Sequence, residues 1–272
     1  MTTWTEAHGQ PEGRWGLPRA VRALLILTVG VSLFQWLADE FTGGAFTRIF
    51  GLSLLSLRRG LLWQPVTYMF LHGGPVHVLL NMMILFFLGP ETERFLGPRK
   101  FVLLYLLSGV LGGVGWVLIE HSPLTRCIGA SGAVFGVLGA FAALFPQQPL
   151  TVLLFFIVPV TVRAWVLAAV LGLIELLFLL SPGSGNVAYA AHLAGGLAGY
   201  FYALGLVRGT PGALGGLAHF LSRFFRKGTD TDDPERVDRL LDKIANQGLG
   251  SLTRREREWL DRASGARREG RL

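Results

Sequence analysis

Two glycine-rich stretches of the sequence each hold one residue of the type that acyl transfer requires. Ser131 lies within Gly-Ala-Ser-Gly at residues 129–132, and His192 opens a second apolar run. A serine hydroxyl is a weak nucleophile unless an adjacent base takes its proton, and histidine is the commonest base. The two residues therefore predict a nucleophile and its base, if the fold brings the two runs together.

A second pair of residues has the side chains that a tetrahedral oxyanion needs. His77 and Asn81 are four positions apart, so on a helix they share a face and can point two donors at one place. The backbone N–H of Ser131, near a helix N-terminus, is a third donor. Acidic residues are few in the apolar runs, and none is expected to accompany His192, so a serine–histidine dyad without a third member is predicted.

Small residues recur at helical spacing beside both candidates. Such faces let helices approach closely, which a hydrogen bond between Ser131 and His192 needs. Phe135 lies one turn deeper than Ser131, where its ring can support the imidazole. The glycines on these faces are Gly132, Gly136 and Gly139 in the first run and Gly195, Gly196 and Gly199 in the second.

Each of these features also has a plainer interpretation. Ser131 can belong to a small-residue packing motif, and His192 can bond to a neighbouring helix. His77 and Asn81 can form hydrogen bonds that hold helices together. Cys127 is a weaker candidate nucleophile, because it precedes the serine's run in a predicted loop. What favours chemistry is the common depth of the polar residues in the predicted bundle.

The composition is that of a polytopic membrane protein. Of the 272 residues, 51% are hydrophobic and 16% are charged, whereas soluble domains have about 25% charged residues. The charges crowd into both ends and a few short loops, and apolar runs fill the middle. The single cysteine excludes an internal disulfide and a cysteine metal cluster. No metal-binding motif lies in an apolar run, so no metal site is expected.

The predicted fold is an all-α bundle of six transmembrane helices. Residues 41–75 are too polar and too broken to span, and they are predicted to form an interfacial loop between helices 1 and 2. Residues 89–100 are predicted as a polar turn, and residues 150–163 as a hairpin-like segment that leads into the fifth span. The predicted spans are residues 21–37, 76–88, 101–119, 131–145, 164–180 and 187–206.

Six spans place both termini on one side of the membrane, and the basic residues indicate which side. With both termini in the cytoplasm, more basic residues flank the inner ends of the spans than the outer ends, which fits the positive-inside rule. This topology places His77, Asn81, Ser131 and His192 in roughly the outer third of the bilayer. The inner residues are Arg14, Arg19, Arg22, Arg94, Arg99, Lys100, Arg163 and Arg208, and the outer ones are Arg48, Arg58, Arg59 and Arg126.

The chain is predicted to divide into a polar tail at residues 1–19, a membrane domain at residues 20–207 and a cytoplasmic tail at residues 208–272. Within the last of these, residues 234–264 have the apolar spacing of two short amphipathic helices. A capping-box sequence, Thr-x-x-Glu at residues 253–256, opens the second helix. We expect this helical hairpin to bind a cytoplasmic partner or the membrane face, and we expect no nucleic-acid partner despite its arginines.

These motifs resemble the rhomboid family of intramembrane serine proteases over about residues 45–205. The resemblance implies that Ser131 is the nucleophile, that His192 is the base, and that His77, Asn81 and the Ser131 amide bind the oxyanion. It also implies a bacterial inner-membrane protein that cuts peptide bonds in or near transmembrane segments of other membrane proteins, without a cofactor. The matching pieces are Gly129-x-Ser131-Gly132, Ala191-His192-x-x-Gly195-x-x-x-Gly199, His77-x-x-x-Asn81 preceded by Phe70-Leu71-His72, and Leu88-Gly89-x-x-x-Glu93.

The resemblance further implies that Gly195 and Gly199 pack the sixth helix on the fourth. Two positions depart from the family pattern. Gln64 follows Trp63 where many members have arginine, which concerns the anchoring of the loop rather than the chemistry. Phe135 stands where tyrosine is common, and a ring that stacks on the histidine does not need the hydroxyl.

Two points remain open at the level of sequence. A non-catalytic rhomboid-like binder of membrane-protein clients would keep the fold without keeping Ser131 and His192 together. A transporter or channel is not favoured, because neither inverted repeats nor polar pore-lining residues are visible.

Glu175 lies in the outer half of the fifth span, where a carboxylate is costly. It is interpreted as bonding to a neighbouring helix or as helping to hold water near the site.

Overall fold

The computed structural model describes residues 16–120, 122–154, 157–181 and 187–208, and residues 240, 242–244, 249–253, 256–258 and 260 nearer the C-terminus. Residues 1–15 of the predicted N-terminal tail and most of the predicted C-terminal tail lie outside the described residues. The chain divides into two compact units, residues 1–222 and 223–272.

Helices make up nearly all of the described part of the first unit. In chain order they are α1 (Arg19–Thr42), α2 (Ala45–Phe50), α3 (Leu54–Arg58), α4 (Gln64–Thr67), α5 (Pro75–Leu96), α6 (Pro98–Ile119), α7 (Ser131–Leu144), α8 (Ala164–Leu180) and α9 (Val187–Arg208). A 3₁₀ turn, Tyr68–Phe70, follows α4, and a β-hairpin of β1 (Pro149–Leu154) and β2 (Val158–Arg163) lies between α7 and α8.

Four of the described helices, α1, α5, α6 and α9, are long and apolar enough to cross a membrane. The chain is therefore a multi-pass membrane protein. Two further apolar helices are shorter, since α7 has 14 residues and α8 has 17. At a rise of 1.5 Å per residue, α7 is about 21 Å long, which is less than the roughly 30 Å of a hydrocarbon core.

Despite its shortness, α7 is the centre of the bundle. Ten of its residues are buried, and α5, α6, α8 and α9 all pack against it. It consists mainly of glycine, alanine and valine, so that neighbouring helices can approach closely. Its first residue, Ser131, is half-buried among these helices.

The second long helix, α5, extends further than the sequence predicts. Residues 89–100 are predicted as a polar turn, but α5 continues through most of them with Pro90 inside it, and the turn is confined to Gly97, whose φ is 78°. Two of the polar residues that suggested a turn, Thr92 and Glu93, are buried. Their polar groups are bonded within the fold, so their polarity does not mark a contact with solvent.

The chain is not all-helical as predicted, because the hairpin-like segment is a β-hairpin. Its strands β1 and β2 pair antiparallel with Thr151 opposite Thr161, and the two hydroxyl oxygens lie 2.9 Å apart. Valine, threonine and leucine fill most of both strands, and β-branched residues favour extended backbone. Pro149 and Pro159 further disfavour a helix here. The described chain is therefore mostly helical with one small sheet.

Most of the described residues of the second unit lie in short helical segments. Lys243 and Thr253 both bond to the carboxylate of Glu256, with Lys243 Nζ at 3.0 Å and the N–H of Thr253 at 2.7 Å. The N–H of Glu256 in turn donates to the Thr253 hydroxyl at 3.3 Å, so the predicted capping box is formed. The backbone bond from Thr253, followed by that from Lys243, lowers the pKa of Glu256 to about 2. The apolar cluster of this unit is Leu240, Leu252, Ile244 and Leu260.

Candidate active site

The structure brings Ser131 and His192 together. Ser131 is the first residue of α7, and His192 lies in the second turn of α9. Nε2 of His192 lies 2.8 Å from Oγ of Ser131, which is a hydrogen-bond distance. Both residues are only partly exposed. A serine hydroxyl and an imidazole are therefore in contact within an apolar bundle.

Glycines set the separation of α7 and α9. A Cβ atom added to Gly195 would overlap the carbonyl oxygen of Gly132, and one added to Gly199 would overlap that of Gly136. Backbone therefore lies directly on backbone along two turns, with no side chain between the helices. Larger residues would push α9 outwards and break the contact between the serine and the histidine.

The segment that leads into α7 is fixed by the loop between α1 and α5. Leu52 and Cys127 exchange two backbone hydrogen bonds of 3.0 and 2.8 Å, and the N–H of Gly129 donates to the carbonyl of Tyr68 at 3.0 Å. These bonds hold the residues just before Ser131. Burial raises the pKa of the Cys127 thiol to about 12, which disfavours the thiolate that a cysteine nucleophile needs.

His72 ties the same segment to α1. It is fully buried, and its Nε2 accepts a hydrogen bond from the N–H of Ala130 at 3.3 Å. Its Nδ1 must then carry the proton, which it donates to Oγ of Ser32 at 3.0 Å. The Ser32 hydroxyl donates to the carbonyl of Phe70 at 3.2 Å. Both ring nitrogens are thus used in structural bonds, and His72 positions the start of α7 rather than acting as a base.

His77 faces the serine from the first turn of α5. The backbone φ of Gly129 is 133°, and a Cβ atom on that residue would lie 2.9 Å from Nε2 of His77 and 3.8 Å from Oγ of Ser131. The imidazole and the serine hydroxyl therefore lie beside the same glycine, where its conformation and its surroundings both exclude a side chain.

Asn81 lies one turn beyond His77 in α5, and it is buried. Its Nδ2 donates to the carbonyl of His77 at 3.0 Å, which uses one of the two N–H bonds of that amide. No hydrogen bond joins Asn81 to Ser131 within the part of the chain that the structure describes. The structure therefore brings His77 to the serine and places Asn81 behind it.

Phe135 holds the plane of the imidazole. Its ring is parallel to that of His192, with the ring centres 4.5 Å apart and the planes 5° apart. Because stacking fixes the ring plane, it also fixes the directions in which Nε2 and Nδ1 point. The contact uses the face of the ring, so a hydroxyl at its edge is not required.

The prediction that no carboxylate accompanies His192 is wrong. Oε2 of Glu175, on α8, lies 3.0 Å from Nδ1 of His192, and the two side chains are 13% and 16% exposed. The two atoms are within hydrogen-bond distance, but the angle between the groups is not that of a hydrogen bond. Neither atom has a hydrogen-bond partner among the described residues. The serine, the histidine and the glutamate thus follow one another from α7 through α9 to α8.

The positions of Glu175 and His192 relative to the ends of α8 and α9 indicate that the two residues lie at a similar depth. Glu175 precedes the last residue of α8 by five positions, and His192 follows the first residue of α9 by five. Antiparallel helices joined by a short connection place such residues at the same depth. The sequence alone does not show which face of α8 turns towards α9, so the contact itself could not be deduced.

Glu93 anchors α1 and lies outside the reaction. Its two carboxylate oxygens accept hydrogen bonds from the backbone N–H groups of Ala20 at 2.9 Å and Val21 at 2.7 Å. The first N–H groups of a helix have no partner within it, and a negative charge there also meets the positive end of the helix dipole. Glu93 of α5 therefore caps α1 across the bundle.

The side chains around Ser131 have the composition of an acyl-transfer site. They include a hydroxyl in contact with an imidazole, an aromatic ring stacked on that imidazole, and a second imidazole beside Gly129. Among the residues that the structure describes, no group of three or more His, Cys, Asp or Glu is arranged to hold a metal ion.

Comparisons with known proteins add the family. A model of the rhomboid domain matches residues 59–209, and a family of unknown function matches residues 231–266. Similar proteins include the putative rhomboid protease YdcA of Bacillus subtilis, 38% identical over 32% of this chain and 43% of that protein. The rhomboid protease GluP of Bacillus subtilis is 28% identical over 70% and 36%, and the rhomboid protease GlpG of Yersinia pestis is 28% identical over 44% and 37%. The chain spans less than half the length of these relatives.

The fold and the site define a multi-pass membrane protein with a serine–histidine contact inside its helical bundle. The rhomboid match covers more than half of the chain and includes every residue of that contact. The chain belongs to the rhomboid family.

Proposed function

We propose that this protein is an intramembrane serine endopeptidase. The observation that carries the proposal is the 2.8 Å contact between Oγ of Ser131 and Nε2 of His192, inside a bundle of the rhomboid family. Relatives that are named rhomboid proteases support the same function. The substrates are membrane proteins, which are cut in or near a transmembrane segment.

The reaction proceeds through an acyl-enzyme on Ser131. Its Oγ attacks the scissile carbonyl carbon while Nε2 of His192 takes the hydroxyl proton. The peptide C–N bond then breaks, and His192 gives that proton to the leaving amine. In the second half, a water molecule attacks the ester carbon and gives a proton to Nε2. The ester bond breaks, and the serine oxygen takes the proton back.

Three donors stabilise the oxyanion of each tetrahedral intermediate. The first is the N–H of Ser131, which lies in the first turn of α7 and has no acceptor inside the helix. His77 supplies a ring N–H, and Asn81 supplies the N–H of its amide that does not bond to the helix. Each such donor contributes about 10²–10³ in rate. Because His77 and Asn81 share α5, one rigid helix places both.

The proposed membrane arrangement has six spans, with α7 and α8 completing the set of four long helices. The loop between α1 and α5 lies in the interface, and both termini are in the cytoplasm of a bacterium whose inner membrane holds the protein. Since α7 is short, its N-terminus begins below the outer surface, and Ser131 lies at that depth. Water then reaches the site from the outer face.

The proposed organisation keeps a polar tail at residues 1–19, a membrane protease domain at residues 20–207 and a cytoplasmic tail at residues 208–272. The helical hairpin at about residues 234–264 provides a surface for a cytoplasmic partner. Support for a separate module comes from the second family match at residues 231–266.

Cleavage of a model transmembrane substrate by purified protein in liposomes tests the function. Wild type is compared with Ser131→Ala and His192→Ala, and Ser122→Ala in the exposed segment before α7 is the matched control. We expect cleavage by wild type and the control, and none by the other two variants.

Two results would overturn the proposal. One is a wild-type protein that is inert towards several helix-destabilised substrates, and the other is equal cleavage by Ser131→Ala. Binding of membrane-protein clients without catalysis would then be the better account of the fold.

A further inference from the structure

We propose that Glu175 of α8 is the positioning residue of His192, so that the site works as a serine–histidine–glutamate triad. The inference rests on the proposed function, because it assigns a role within the same reaction. Glu175 acts through the imidazole, and the bond-making atoms remain those of Ser131 and His192.

The two nitrogens of His192 are what require a third residue. Nε2 lies 2.8 Å from the Ser131 hydroxyl, and it must be unprotonated to take the serine proton. Nδ1 must therefore carry the hydrogen of the neutral ring. Oε2 of Glu175 lies 3.0 Å from Nδ1, which is within the distance of a hydrogen bond. Such a bond holds the productive tautomer.

The surroundings of Glu175 indicate that His192 is the partner of its carboxylate. Glu175 is the only charged residue in the sequence of α8, and Ala164 is the one buried position of that helix. The rest of α8 offers apolar side chains to its surroundings, yet the Glu175 side chain is 13% exposed and turned towards His192. A carboxylate in an apolar helix is costly unless a partner compensates it, and His192 is that partner.

The ends of α8 and α9 are held together next to this contact. The rings of Phe178 and Tyr189 stack with their centres 5.3 Å apart and their planes 14° apart. Phe178 lies three residues after Glu175, and Tyr189 lies three residues before His192, so the stack is one turn away along both helices. It fixes the register in which the carboxylate meets the imidazole.

The charges that face His192 from the other elements do not replace Glu175. From α5, His77 presents a second imidazole beside Gly129 and the Ser131 hydroxyl, and an imidazole brings no negative charge. The neighbouring α7 offers the serine hydroxyl. The charges of α6 lie at its first turn, in Arg99 and Lys100, and just beyond its end, in Glu120.

A carboxylate beside Nδ1 has a specific effect during the attack. When Nε2 takes the serine proton, the ring becomes an imidazolium, and a negative charge about 3 Å away stabilises it. Glu175→Gln keeps the size of the side chain and a hydrogen-bonding oxygen, but it removes this charge. The variant therefore separates the electrostatic role of Glu175 from its packing.

The test measures the rate at which a fluorophosphonate labels Ser131 across a range of pH, together with kcat and KM for a transmembrane substrate. The proteins are wild type, Glu175→Gln and Glu175→Asp, with Glu120→Gln as the matched control. We expect Glu175→Gln to lower kcat and the labelling rate at least about tenfold with little change in KM. The acid limb of its pH–rate profile should also move to lower pH, because the neighbouring negative charge is lost. The control should behave as wild type.

The outcomes separate this inference from the proposed function. If wild type neither labels at Ser131 nor cleaves, the proposed function fails. If wild type does both, and Glu175→Gln matches it in rate and pH profile, the triad alone is wrong. If Glu175→Gln does not fold, Glu175→Asp decides, since it keeps the charge but shortens the reach. For Glu175→Asp we then expect a lower labelling rate and an acid limb of the pH–rate profile that does not move. An unchanged rate or a shifted acid limb would overturn the triad.

Discussion

Gly199 of α9 lies so close to Gly136 of α7 that a Cβ atom on Gly199 would overlap the Gly136 carbonyl oxygen. The same relationship holds one turn away between Gly195 and Gly132. The contact between the two helices is made by backbone, and it sets the distance at which the histidine meets the serine. Packing and chemistry therefore depend on the same positions.

Gly199→Ala should destabilise the protein by about 1–3 kcal/mol, because the added methyl group overpacks a rigid backbone contact. Cleavage should fall with it, since α9 carries His192. Gly196→Ala is the matched control on the same helix, where a Cβ atom would lie 3.6 Å from the Phe135 carbonyl oxygen, an ordinary contact. Thermal unfolding in detergent and the cleavage rate measure both effects. Equal behaviour of the two variants would contradict the role of the backbone contact.

Phe135→Leu should reduce cleavage by up to about tenfold, because the aromatic stack that fixes the imidazole plane is worth about 0.5–1.5 kcal/mol. Phe135→Tyr keeps the ring face and should cleave at nearly the wild-type rate. The measurement is kcat on one transmembrane substrate, with unfolding followed in parallel. If leucine is tolerated as well as tyrosine, the stack does not position His192.

Gln64→Ala should cost about 1–3 kcal/mol of stability, because the buried N–H of Ser53 loses its acceptor. The Gln64 side chain is fully buried, accepts from the N–H of Ser53 at 3.1 Å and donates to the carbonyl of Ile49 at 3.0 Å. Trp63→Phe is the control, since it removes one bond from a half-exposed ring. The temperature of unfolding decides, and a smaller loss for Gln64→Ala than for Trp63→Phe would show that the loop is anchored elsewhere.

Glu93→Ala should destabilise the protein by about 1–3 kcal/mol, because the first N–H groups of α1 lose their acceptors. Glu93→Gln should lose less, since one oxygen can still accept. The control is Glu91→Ala, which removes an exposed pair with Arg94 and should change stability by less than about 0.5 kcal/mol. Denaturation of the three variants is compared under one set of conditions. Similar losses at positions 91 and 93 would rule out the capping of α1.

Much of the candidate site can be predicted from the sequence, because few polar residues occur within the apolar runs. Ser131, His192 and His77 lie near the same predicted depth, and the structure places their side chains together. Helical spacing also indicates the glycine faces of α7 and α9, because close packing depends on local periodicity and residue size.

The parts that could not be predicted depend on contacts between distant residues. The sequence predicts Glu93 in a polar turn. The backbone N–H groups that donate to its carboxylate lie 73 and 72 residues away, at the start of α1, and no local pattern indicates them. The contact of Glu175 with His192 requires the rotation of α8 about its own axis, which a uniformly apolar helix does not reveal. The β-hairpin is a short apolar run, and such runs do not distinguish strand from helix by periodicity.

The most direct test of the central claim, that His192 activates Ser131, is to locate the serine that a fluorophosphonate probe modifies in the folded protein. Mass spectrometry of the labelled wild type should place the added mass on the peptide that contains Ser131, and His192→Ala should abolish that labelling while remaining folded. Labelling of another residue, or equal labelling of Ser131 without His192, would contradict the claim.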